Sequence, residues 1–274
     1  MTTNAPSRLD DELIVVRPLQ EGRLTVAVWA TTTAVFVALV SAWEGIVRLG
    51  GVPVYLLPAP TVILERLLSR WTLFVGNGVT TLLEALAGFG VGGLVAFVLA
   101  TAMAHSRLAE RVLYPIALLI KVTPIVAIAP LFVIWFGFGP LPKILIAALI
   151  TFFPMLVNAL AGLRAANPAA LDFLRSVGAS TVEIFLTLRV PGSLPYLFAA
   201  ARVAVPLSLI GAVVGEWWGA SEGLGRIIFL ANTNLDMPSL FAAVVVLTLL
   251  GVGLTSLLSL AERRMLRWHE SVRG

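Results

Sequence analysis

Charge is scarce in this sequence and cysteine is absent. Charged residues make up 12% of the 274 and hydrophobic residues 59%, against about 25% charged in an ordinary soluble domain. A chain so poor in charge cannot cover the surface of a soluble globule and suits a fold whose outer surface faces lipid. With no Cys there is no disulfide framework, no thiolate nucleophile and no Cys-based metal site. Two His, His105 and His269, lie far apart near predicted helix ends, which argues against a metal site. No Gly-Lys pair occurs, so no GxxxxGK(S/T) loop cradles nucleotide phosphates in this chain. There is no H-E-x-x-H and no span carries paired carboxylates, which disfavours an integral membrane enzyme. The net charge of +4 comes from basic residues scattered at segment ends, with no run of five or six, so nucleic acid is not an expected partner. The first 24 residues are polar and mixed in charge and a full-length apolar span follows them, so no cleavable signal peptide is expected.

What is present is apolar sequence in blocks. A helix crossing ~30 Å of hydrocarbon needs about 20 mostly apolar residues, and six stretches qualify: 25–47, 79–104, 113–136, 141–162, 194–215 and 239–260. The third and fifth contain Pro124, Pro130 and Pro206, whose freed carbonyls require partners, so these helices are expected inside the bundle or along a cavity. With the N-terminus inside, inner segments carry twelve Arg. Outer segments carry five basic residues (Arg48, Arg66, Arg70, Lys143, Arg226), and Lys121 and Arg202 within spans complete the 19. That asymmetry puts both termini in the cytoplasm of a multi-pass protein. The expected layout is a cytoplasmic segment at 1–24, a transmembrane domain at 25–262 and a cytoplasmic tail at 263–274. In the outer connection, Val62, Ile63, Leu67, Leu68 and Trp71 recur at helical spacing, predicting an amphipathic helix over 61–74 that lies on the bilayer surface. Gly88, Gly92 and Gly93 give the second span a small-residue face suited to close helix packing.

The loop over 163–191 is too long for a plain hairpin and reads as helix, turn, helix. Asn167 is a good N-cap and Pro168 sits at the first helical position. Gly178 can end that helix in a left-handed conformation, and Ser180 with Glu183 forms a capping box for the next one, which Pro191 is expected to stop. Leu171, Leu174 and Val177 give the first helix an apolar stripe. The stripe either packs on the chain's own helix ends or belongs to a rigid knob that docks into a partner.

The same segment resembles the "EAA" motif of permease subunits of ATP-binding-cassette (ABC) importers, which reads E-A-A, three residues, G, nine residues, I-x-L-P. Here Asp172-Phe-Leu-Arg175-Ser-Val-Gly178 is followed after nine residues by Leu188-Arg-Val190-Pro191. Asp172 stands for the Glu, and Phe173 and Leu174 replace the two Ala; the charge, the Gly and the spacing to Pro survive. The resemblance extends through Leu57-Pro58-Ala59-Pro60, Pro130-Leu131, Ile134-Trp135-Phe136-Gly137, Phe152-Phe153-Pro154, Ala161-Gly162-Leu163-Arg164, Gly219-Ala220-Ser221 and Gly223-Leu224-Gly225. It points to the branch that moves sulfonates, taurine, nitrate, bicarbonate, thiamine pyrimidine precursors and riboflavin.

The resemblance implies an all-α, type I importer-like permease with six transmembrane helices. Two permease copies, expected as a homodimer, would sit on two ATPase subunits that bind ATP and Mg, and an extracytoplasmic binding protein would deliver the cargo. Residues 172–179 would form the coupling helix, so Asp172, Arg175, Ser176, Gly178, Ala179 and Glu183 are the coupling candidates. No cofactor or catalytic residue is expected in this chain. Polar residues at membrane depth nominate Lys121, Thr123, Asn158, Ser208 and Glu216 for the substrate path. Single polar residues also bond between helices, and Glu44 and Glu84 are expected to be solvated near span ends. Gly211-Ala-Val-Val-Gly-Glu216 and Arg267-Trp268-His269 look like the thiamine-pyrimidine and riboflavin members. The alternatives are a permease for a small anion or, in another class, a membrane enzyme or stand-alone carrier, which would not need the capped loop.

Overall fold

Prolines and glycines decide where the apolar blocks of this chain become separate helices. The structure, a computed structural model, describes residues 21–266, with side chains described from residue 28. Its elements are α1 (Glu21–Leu49), α2 (Pro60–Ser69), α3 (Trp71–His105), α4 (Arg107–Val122), α5 (Ile125–Phe136), α6 (Pro140–Arg164), α7 (Pro168–Ser176), α8 (Thr181–Ile184), a π-helical turn (Phe185–Arg189), α9 (Val190–Glu216), α10 (Leu224–Thr233) and α11 (Met237–Met265). α1 lies in a unit that ends at Val52, and the remaining helices form a second unit. Among the described residues five helices are long and apolar enough to cross a membrane: α1, α3, α6, α11 and the continuous run Thr181–Glu216. α4 and α5 qualify only as a bent pair, which makes a sixth crossing if the pair is one span.

That break corrects the expectation of one straight span over 113–136. The axes of α4 and α5 differ by 98°. The residue before a proline is disfavoured in the helical region, and Thr123, before Pro124, leaves it with φ −68 and ψ 128. Its hydroxyl donates to Leu119 O at 2.8 Å, so the severed end keeps a hydrogen-bond partner.

Pro191 behaves in the opposite way. It does not stop the second loop helix, which runs on into α9. Pro191 lacks the N–H that would have bonded the preceding turn, and the chain widens one turn to π geometry instead: Val190 N donates to Phe185 O. The outer amphipathic segment is also divided differently from expectation. α2 stops at Ser69, Arg70 breaks the helix, and Trp71 to Phe74 open α3. α2 packs on α11 with Ile63 buried, so one of its faces is held by protein. α11 runs to Met265, past the expected end of the membrane domain at 262.

α6 lies between α3 and α9 and packs along both. Between membrane helices there is no hydrophobic driving force, so close van der Waals packing of small residues has to hold them together. The core is accordingly rich in alanine: Ala96 and Ala100 of α3, Ala159 of α6, Ala200 and Ala204 of α9, around Met103, Leu156 and Leu163. Glycines bring the backbones closer still. A Cβ on Gly92 would lie 2.5 Å from Ala148 O and Thr151 Oγ1, and one on Gly88 would lie 2.8 Å from Ile144 O. On the other side of α6, Gly211 faces Ala147 Cα at 2.6 Å and Gly215 faces Lys143 Cα at 2.8 Å by the same measure. Gly93, expected on this face, meets only the end of Met155.

This geometry sets a test. Gly92→Leu is expected to destabilise the bundle by about 1–3 kcal/mol, the usual cost of overpacking. Gly90→Leu, whose site has nothing within 4 Å, is expected to change little. Thermal unfolding of the two variants in one detergent checks the difference.

Candidate functional site

Local sequence alone builds the α7–α8 loop. Asn167 Oδ1 accepts from Ala169 N at 2.9 Å at the start of α7. At its end Ala179 N donates to Leu174 O and Gly178 N to Arg175 O, both at 3.0 Å. These are the two bonds of a Schellman stop, which needs the left-handed φ of +79 that Gly178 supplies. Ser180 and Glu183 complete the capping box: Ser180 N donates to Glu183 Oε2 at 2.7 Å, and Glu183 N to Ser180 Oγ at 3.2 Å. The helix ends of this loop are thus capped by residues within it.

The loop displays apolar side chains. α7 buries none of its residues; Leu171 and Leu174 are half-buried, while Phe173, Val177, Val182 and Leu186 are exposed. Asp172 and Arg175 form an exposed pair at 3.7 Å, Ser176 Oγ bonds back to Phe173 O, and Ala179 is half-buried. Exposed Phe, Val and Leu give this loop an apolar surface between polar edges. At the root of the loop Arg164 grips both carboxylate oxygens of Glu110 at 2.7 Å and also donates to Met103 O. That ties α6 to α4 and α3.

Two of the nominated path residues share a cavity of about 540 Å³. Lys121 and Asn158 line it with Ile125, Phe153, Val157 and Leu207. Lys121 Nζ stands 4.6 Å from the centroid of Phe153, a cation over an aromatic face. Asn158 donates to Pro154 O at 2.9 Å, leaving its amide oxygen for another group. Thr123 sits at the α4–α5 break just past Lys121. Ser208 and Glu216 are elsewhere. Ser208 is fully buried in α9 and donates to Val205 O.

Glu216 belongs to a buried polar cluster at the opposite end of the bundle from α7. Glu84 of α3 is 5% exposed, not solvated as expected, and its Oε1 accepts from Lys143 Nζ of α6 at 2.7 Å. Lys143, expected in an outer loop, is 7% exposed inside α6. Glu216 takes a hydrogen bond from Thr81 Oγ at 2.7 Å and from Gly225 N at 2.5 Å. Thr81 Oγ also accepts from Leu224 N, and Asn77 Oδ1 from Gly223 N. The cluster therefore pins the start of α10. Glu84, Lys143 and Glu216 are 59 and 73 residues apart in sequence (143 − 84 and 216 − 143). No local pattern could have joined them.

One local motif bears on the membrane-enzyme alternative, for which a G-x-S-x-G was not expected. Gly219-Ala-Ser221-Glu-Gly223 has the G-x-S-x-G spacing of a nucleophile elbow. That motif requires a strand, a sharp turn and a helix, whereas here a helix, α9, precedes the segment and no strand occurs among the described residues. His105, the imidazole among the described residues, caps the far end of α3. Among the described residues an acyl-transfer site is not assembled. Arg267-Trp268-His269 lies outside the described residues.

The family described as binding-protein-dependent transport system inner membrane component matches residues 88–267. A formylaminopyrimidine transport permease of Halalkalibacterium halodurans is 35% identical over 239 residues, 87% of this chain and 95% of that one. A riboflavin transport system permease of Chloroflexus aurantiacus is 34% identical over 231 residues, 84% of this chain and 86% of that one. Among solved structures, an inward-facing methionine ABC transporter superposes with a TM-score of 0.61 over 72% of this chain and 96% of its own, at 19% identity. That likeness concerns the fold.

An ion pair at the α10 end ties α2 to the start of α11. Arg66 donates to Asp236 Oδ2 at 2.8 Å and to Ser239 Oγ at 2.9 Å. Burial works to raise the Asp236 carboxyl, but the hydroxyl and amide of Ser239 and the Arg66 guanidinium outweigh it and hold the group below its ordinary value. A carboxylate lowered in the folded state stabilises above its unfolded value and loses that contribution as pH falls through the folded one. Amide exchange in α2 is therefore expected to quicken below the ordinary carboxylate range in wild type and to be faster, with less pH dependence, in Asp236→Asn. Hydrogen-exchange mass spectrometry as a function of pH checks both.

Proposed function

Because the chain belongs to the family of binding-protein-dependent transport system inner membrane components, and is thus the permease of an ABC importer, we propose that its α7–α8 loop couples it to an ATPase and that its cargo is a flat heteroaromatic vitamin or precursor. The observation that carries the coupling role is the self-capped loop with Phe173, Val177, Val182 and Leu186 exposed. The partner hydrolyses ATP with Mg, since this chain has no phosphate loop. Two copies of the permease pair in a bacterial inner membrane, the loop and both termini facing the cytoplasm. The α2 and α10 end faces outward and receives cargo from a binding protein.

The cargo class rests on the formylaminopyrimidine and riboflavin relatives and on a cavity that combines an aromatic face, one ammonium and one amide. A planar ring with polar edges can stack on Phe153 and bond to Asn158. A small inorganic anion would use Lys121 alone.

In the complete transporter, Gly178→Val is expected to leave insertion intact and to uncouple ATP hydrolysis from uptake. The site has open space around it, so the penalty comes from forcing a β-branched residue to positive φ, about 1–2 kcal/mol, which alters the angle between α7 and α8. Cargo-stimulated ATPase activity and uptake at wild-type levels would refute the coupling role. Lys121→Ala is expected to leave uptake of riboflavin or a pyrimidine largely intact. If instead the partner binding protein holds sulfonate or nitrate and the substitution abolishes its uptake, the cargo reading is wrong.

A further inference from the structure

The cluster at the start of α10 holds more acid than base. Glu84, Lys143 and Glu216 are 5, 7 and 1% exposed, and they bring two carboxyls and one ammonium into a site flanked by apolar helices. Lys143 neutralises one carboxylate. A second buried carboxylate without a counter-charge would cost several kcal/mol, and among the described residues no salt bridge reaches Glu216, whereas Glu84 has Lys143. Glu222, on the α9–α10 connection, is the further charge that reaches Glu84, and it is negative. Arg226 of α10 donates to Ala220 O and, with Arg70, lines the outer pocket that holds Glu222. α11 carries no ionisable residue before Glu262, at its far end.

The hydrogen bonds leave a matching gap. Glu84 Oε1 accepts a hydrogen bond from Lys143 Nζ, but Glu84 Oε2 is buried and receives no N–H or O–H among the described residues. The side chain within hydrogen-bonding reach of Glu84, besides Lys143, is the carboxyl of Glu216. Two facing carboxyls can bond only if one of them carries a hydrogen. The missing donor and the missing positive charge are therefore the same particle.

We infer that Glu84 and Glu216, with Lys143, form a proton-binding site in which one proton is shared by the two carboxyls and keeps α10 seated on α3 and α9. The proton belongs to the pair and not to either residue. With it the cluster is neutral, and Glu216 stays in place to accept from Thr81 and from Gly225 N. Without it two carboxylates face each other in a low-dielectric site, and the contact that yields is the one between Glu216 and the first turn of α10. Gly223 fits this seat closely, because a Cβ there would meet the Glu216 carboxyl itself.

The test uses the full chain in lipid nanodiscs and does not depend on cargo or ATP. Infrared spectroscopy at neutral pH should show the carbonyl band of a protonated carboxylic acid, shifted in heavy water and lost in both Glu216→Gln and Glu84→Gln. In wild type the exchange protection of the amides of Leu224 to Ile227, corrected for intrinsic rates, should fall about tenfold per pH unit once the proton leaves. In Glu216→Gln, whose amide supplies the missing donor permanently, that protection should not depend on pH. Absence of the acid band from wild type at neutral pH overturns the inference and requires no variant. Persistence of the band in both Gln variants, or an unchanged alkaline loss of protection in Glu216→Gln, overturns it as well.

Discussion

The approach of the α6 backbone to α3 on one side and α9 on the other is the constraint from which the rest of this bundle follows. Lipid gives two apolar helices no reason to prefer each other over acyl chains, so the contact must come from atoms that lipid cannot match. Gly88 and Gly92 of α3 and Gly211 and Gly215 of α9 let the backbones close on Ile144, Ala147, Ala148 and Lys143 of α6. On such a seam polar groups cannot drift toward water. Lys143 is fixed beside Gly215, so its ammonium reaches Glu84, and Glu216, the next residue along α9, is presented to Thr81. The buried polar cluster is thus a consequence of the glycine seam.

The parts of the fold legible in the sequence were those set by local chemistry. The number and placement of the apolar blocks followed from bilayer thickness, and the α7–α8 loop followed from Asn167, Gly178, Ser180 and Glu183, each within a few residues of its partner. Proline was harder to read because its effect depends on what surrounds it. Pro124 broke a span and Pro191 did not, since at Pro191 the chain could shift to a π turn without interrupting the axis. Both carry the same missing N–H; the sequence does not say which way the backbone yields.

The site was less legible for a different reason. Glu84 looked like a solvated residue near a span end and Lys143 like a loop charge because each was judged alone, and burial is a property of the pair. Gly211-Ala-Val-Val-Gly215 looked like a signature of cargo class, and in the fold it is a packing face against α6. The pattern is compatible with the pyrimidine and riboflavin relatives, but a helix seam carries no information about what passes beside it. Gly88 and Gly92 were read correctly on the same small-residue spacing, so Gly211 and Gly215 were equally available.

α6 connects the two ends of the molecule mechanically. Its last residue, Arg164, is clamped to Glu110 of α4 and to Met103 O of α3, and α7 begins four residues later. Its first turns hold Lys143 against Glu84. Between them it carries Phe153 and Asn158 at the cavity whose other wall is Lys121, on the far side of the Thr123-Pro124 break from α5. A force applied to the loop acts on a helix packed along both neighbours, and packed cores move as units more readily than they deform. α4 and α5 are different: they meet at a bend with no shared axis, and neither takes part in the glycine contacts that close α6 on α3 and α9. The cavity wall bearing Lys121 therefore lies where the glycine seam is absent.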